Sequence, residues 1–105
     1  MMIRIPLFIA AIVLSHLAAA QATKCTLQLS VELTPDVENP RDPAFLSTLA
    51  GNPAYSLVFI RKSDDGDREV LQLSGPPGTC RDQLEFMKQN SHVINIEVIG
   101  GDGQA

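Results

Sequence analysis

Between Cys25 and Thr34 apolar and polar residues alternate. Cys25, Leu27, Leu29, Val31 and Leu33 fall on one side and Thr26, Gln28, Ser30, Glu32 and Thr34 on the other, which predicts a half-buried strand. Pro35 to Pro40 breaks the pattern. Asp42 followed by Pro43 predicts a helix start, with Asp as N-cap and proline where its missing N–H is not needed. Phe45, Leu46 and Leu49 form the inward side of that short helix, and Gly51, Asn52 and Pro53 end it. Tyr55 to Arg61 and Glu69 to Ser74 are two further strands, joined through the polar turn Ser63-Asp64-Asp65-Gly66-Asp67 as a hairpin. After Gly75-Pro76-Pro77-Gly78, Thr79 with Asp82 three residues on is expected to form a capping box. It opens a helix to about Asn90 with Cys80, Leu84 and Met87 on one face. Val93 to Ile99 is the last strand, with Ile94, Ile96 and Val98 alternating with Asn95 and Glu97. Residues 100–105 bury nothing and are expected to form a flexible tail.

The order strand, helix, strand, strand, helix, strand predicts a small α+β domain of the split βαβ, ferredoxin-like kind. One antiparallel sheet would carry two helices on one face. The resemblance is one of element order, and this fold carries many unrelated functions. An α+β domain of different strand order, or a β-sandwich in which the first helix is a loop, stays open as a rival. In the ferredoxin-like arrangement the start of the first strand and the start of the second helix meet at one end of the molecule. Cys25 and Cys80 occupy those two places.

A different pattern precedes the domain. Arg4 is the only charge in the first 22 residues, Ile5 to Leu14 is an apolar run, and Ala18, Ala19, Ala20 and Ala22 supply small residues, as in a secretory signal. Cleavage before Gln21 or before Thr23 fits equally. With Thr23 as the start, residues 1–22 are a signal peptide, 23–99 a single domain and 100–105 the tail. The apolar run is too short to cross a hydrocarbon core of about 30 Å as a helix. The expected product is secreted, or periplasmic if the source is a Gram-negative bacterium, with no membrane association after cleavage.

Export changes how the two cysteines are read. An even count in a small exported chain favours a disulfide over metal or redox chemistry, so Cys25 and Cys80 are expected to pair. Lys24 disfavours lipidation of Cys25. Losing Arg4 leaves seven Lys and Arg against twelve Asp and Glu, a balance of −5, which makes nucleic acid a poor partner.

Candidate chemistry is sparse, and neither a catalytic residue, a metal ligand nor a cofactor is assigned. Outside the signal His92 is the one histidine. Its place between a helix end and a strand suits capping or hydration better than a hydrolytic triad. Asp64, Asp65, Asp67 and Glu69 do not have the spacing of an EF-hand loop. Gly75 to Gly78 precedes a helix but holds two prolines and no phosphate-loop lysine.

A surface is more suggestive. Thr26, Gln28, Ser30, Glu32, Asn95 and Glu97 would form an open polar face. In the Tyr55 to Arg61 strand, Leu57 and Phe59 point one way and Val58 and Ile60 the other. The topology puts this doubly apolar strand at a sheet edge, where it could add a partner strand or support a homodimer. Leu57, Val58, Phe59 and Ile60 are therefore the candidate contact residues for an unknown protein partner. The expected function is that of a secreted, disulfide-stabilised binding or effector-like protein. One alternative is a protease inhibitor presenting Pro35 to Pro43 or Gly75 to Gly78; the other is a small hydrolase using His92 or the acidic turn.

Overall fold

A computed structural model describes residues 24–101. The expected signal peptide, residues 1–22, lies outside the described residues, as do residues 102–105 of the expected tail. The element order is β1 (Cys25–Leu33), α1 (Pro43–Ala50), β2 (Ser56–Lys62), β3 (Glu69–Gly75), α2 (Cys80–Met87) and β4 (Val93–Gly101). The strands form one four-stranded sheet in the order β2-β3-β1-β4, every neighbouring pair antiparallel.

Period-two patterning sets the register. Leu27 and Leu29 of β1 stand opposite Leu73 and Leu71 of β3, which in turn face Leu57 and Phe59 of β2. These rows meet Leu46, Leu49, Leu84 and Met87 from the two helices in one hydrophobic cluster. Each fully buried leucine there contributes about 1.5–3 kcal/mol over its exposed state.

The termini of α1 follow the sequence. Asp42 Oδ1 accepts from the Ala44 N–H at 3.2 Å, and Pro43 fills the first turn. Gly51 ends the helix at φ +82°, a left-handed conformation that suits a residue without Cβ. The Phe86 ring also occupies the space a Cβ would take there. Gln83 Nε2 donates to the Ala50 carbonyl at 2.6 Å, satisfying one of the last carbonyls of α1 from α2.

The second helix departs from expectation at both ends. The Thr79 side chain makes no capping bond. Its hydroxyl instead donates to the Pro76 carbonyl at 2.7 Å and accepts from the Tyr55 hydroxyl at 2.7 Å. The helix also ends at Met87, because the Gln89 and Asn90 amides reach back only three residues, to Phe86 and Met87, and tighten the chain into a turn.

Cys25 and Cys80 form a disulfide with Cα atoms 6.0 Å apart. Both are fully buried, and the bridge joins the first residue of β1 to the first of α2.

Two expectations for the last strand are corrected. Gly100 and Gly101 belong to β4, opposite Gln28 and Leu27, rather than to a tail. They suit a close approach, since a Cβ on Gly101 would lie 2.6 Å from the Thr26 carbonyl oxygen. Of the three apolar residues expected to alternate inward, Ile96 is buried while Ile94 and Val98 are exposed. The β1–β4 ladder shifts register at Gln28/Leu29 and again at Glu32/Leu33, and the helices pack on β1, β2 and β3, leaving those side chains without cover.

Candidate functional site

Strand order makes β2 an outer strand, paired with β3 on one side only. Its other edge presents the unpaired backbone N–H and C=O groups of an edge strand. Leu57 is buried and Phe59 packs partly against the core, whereas Val58 and Ile60 are 46% and 44% exposed. The four candidate contact residues thus divide between the two faces of one edge.

A groove of about 370 Å³ runs beside this edge, between β2 and the start of α1. Leu46, Tyr55, Leu57 and Phe59 give it apolar walls, and Arg41 is the charged residue lining it. The Arg41 guanidinium carbon lies 4.2 Å from the centroid of the Phe59 ring, within range of a cation–π interaction. Arg41 immediately precedes the Asp42-Pro43 start of α1, so this contact joins the entry to the helix to β2.

The ladder breaks at Ile60. Phe59 pairs with Leu71 and Arg61 with Val70, leaving Ile60 as the extra residue. Such a bulge twists an edge and limits pairing beyond it. The regular part of the open edge is therefore Ser56 to Phe59. Arg61 follows directly, and its guanidinium donates to the Lys62 carbonyl at 3.1 Å. Lys62 lies 3.2 Å from Glu69; among the described residues neither Arg41 nor Arg61 is in an ion pair.

The other residues singled out from sequence serve local structure. On the outer face Ser30 stands opposite Glu97 and Glu32 opposite Asn95, but Ser30 is buried rather than part of an open face. Arg68 spans that face, with contacts of 3.8 Å to Glu32 and 3.4 Å to Glu97. In the acidic turn Asp65 Oδ1 accepts from the Ser63 hydroxyl and the Asp67 amide. Hydrogen bonding from the Ser63 side chain, then from the Asp67 backbone, holds the Asp65 carboxyl below its ordinary value. Glu69 is separated from that tip, buried with a side chain 7% exposed. Among the described residues no group of three or more His, Cys, Asp or Glu is placed to hold a metal ion.

His92 does not cap α2 with its ring. Nδ1 lies 3.4 Å from Asp36 Oδ2 and 3.5 Å from the Thr34 hydroxyl, with Phe45 edge-on to the ring. Hydrogen bonding from the Thr34 side chain, assisted by His92, holds the Asp36 carboxyl low. The ring thus joins the end of β1 to the 35–42 loop. The Gly75 to Gly78 connector is tied down as well, by the Cys80 bridge and the Tyr55–Thr79–Pro76 chain of hydrogen bonds.

Arg41 is the contributor to the edge that sequence reasoning missed. Its place just before the Asp42 cap was the available signal, but only the fold puts that position over Phe59. Among the described residues no helix is long and apolar enough to cross a membrane. Comparison with family models, curated proteins and solved structures finds no match to this chain.

Proposed function

We propose that the chain is an exported, non-catalytic recognition protein of the ferredoxin-like arrangement that takes a strand of a partner protein onto the β2 edge. The observation that carries this is β2 itself: an outer strand with a regular open segment, an apolar groove on its inner side and exposed Val58 on its outer side. Strand addition uses such a combination, with main-chain hydrogen bonds for affinity and a groove for alternate side chains. The strand order β2-β3-β1-β4 within a βαββαβ succession supports the fold assignment. Export is supported by the signal pattern of residues 1–22 and by a buried disulfide of the kind that persists in oxidising compartments.

Partner capture with the oxidised protein, beside a Val58→Glu variant of unchanged unfolding midpoint, tests this function. A protein retained by the parent and lost by the variant is expected. Equal retention by both would remove the edge from the interaction.

A further inference from the structure

We propose that the segment received by the β2 edge is an extended, acidic one, its alternate side chains apolar toward the groove. This rests on the strand-addition function above and specifies the partner's chemistry. The whole chain carries a net charge of −4, yet the charged side chain of the groove is Arg41 and the residue flanking the open segment is Arg61. Both lie outside ion pairs among the described residues, and both are exposed. Phe59 pairs with core residue Leu71, whereas Arg61 stands opposite Val70, which lies outside the core cluster. The two guanidiniums therefore flank the edge from its two faces. With its apolar side chains toward the groove, a strand laid along Ser56 to Phe59 turns its carboxylates to the outer face, where Arg61 stands, while Arg41 at the groove adds a second positive charge beside the edge. Guanidinium forks bind carboxylates with directed hydrogen bonds.

The same charges disfavour a second copy as occupant. Antiparallel pairing of two β2 strands would bring two Arg41 and two Arg61 side chains into one interface. An acidic segment meets no such repulsion, and Leu46, Leu57 and Phe59 supply the apolar surface for its inward residues.

Three short, end-blocked peptides alternating valine with glutamate, glutamine or lysine test this against the oxidised protein, followed by backbone amide NMR shifts. The glutamate peptide should shift Arg41 and Ser56 to Arg61 and bind about tenfold tighter than the glutamine peptide. The preference should fade near about 1 M salt. In an Arg41→Gln/Arg61→Gln variant whose amide spectrum shows it folded, the glutamate and glutamine peptides should bind alike. Equal binding of all three peptides at β2 in the parent protein would overturn the acidic preference and leave strand addition standing. If none of the three peptides shifts β2, both the acidic preference and strand addition are overturned, and concentration-dependent shifts without peptide would assign the edge to a second copy instead.

Discussion

The guanidinium of Arg41 lies over the ring of Phe59, 4.2 Å from its centroid, and so fastens the entry to α1 onto the edge strand. An exposed cation–π pair contributes about 0.5–1 kcal/mol. Arg41→Ala is expected to lower stability by that amount, and Arg41→Ala in a Phe59→Leu background by less. Urea unfolding of the four members of the cycle measures the coupling.

The covalent tie should matter more. Cys25 and Cys80 are separated by 55 residues in sequence, and on the chain-entropy model a loop of that span contributes about 4 kcal/mol. A Cys25→Ser/Cys80→Ser variant should lose most of the stability of so small a domain. Denaturant unfolding of oxidised protein and variant would show it as a large fall in midpoint.

Tyr55, Thr79 and Pro76 form a shorter tie at the same end, through two hydrogen bonds of 2.7 Å each. Tyr55→Phe should cost about 0.5–1.5 kcal/mol, the net worth of one such bond. Gly75→Ala should destabilise by about 1–3 kcal/mol, because the Tyr55 ring occupies the place of the added methyl. Thermal unfolding of the two variants should rank them in that order.

These particulars show what local pattern conveys and what it omits. Alternation placed Leu27, Leu29, Leu71 and Leu73 on one face because a half-buried strand needs that period, and Asp42-Pro43 announced a helix because its first turn needs those chemistries. The inward side of the Cys80 helix was equally legible from its spacing. The role of Thr79 was not: a threonine before a helix carries the same local signal whether its hydroxyl caps the helix or serves Tyr55, 24 residues away in sequence. Ile94 and Val98 misled for a related reason, since alternation says nothing of two register shifts or of where the helix layer stops. The β2 edge was legible as a doubly apolar run, whereas its cationic flank depends on long-range placement of Arg41.

Asp36 gives a pH-dependent expectation. Hydrogen bonding from the Thr34 side chain, with His92 close by, lowers its carboxyl below 3.8 in the folded protein. A depressed folded value means that the carboxylate's contribution is present above 3.8 and is lost as pH falls through the lower folded value. Asp36→Asn should therefore be less stable than the parent near neutrality, and the two should converge in strong acid. Urea midpoints taken from about pH 6 down to about pH 2 test the convergence; a gap that stayed constant would show that the carboxylate's charge plays no part.

Glu69 carries the sharpest energetic consequence. Its side chain is 7% exposed, one oxygen meets Lys62 at 3.2 Å, and the buried Oε2 has no hydrogen-bond partner. An ion pair in such surroundings offsets its desolvation only while both members remain. Lys62→Met should therefore cost about 1–3 kcal/mol, more than an ordinary surface lysine, because it strands a carboxylate without compensation. Adding Glu69→Leu removes the polar group that made the first substitution costly, and places an apolar side chain opposite Val31. The double variant should recover most or all of the loss. Denaturant unfolding of parent, single and double variants decides it: simple additivity, with the double variant weaker than the lysine substitution alone, would mean that Glu69 contributes through contacts other than its pairing with Lys62.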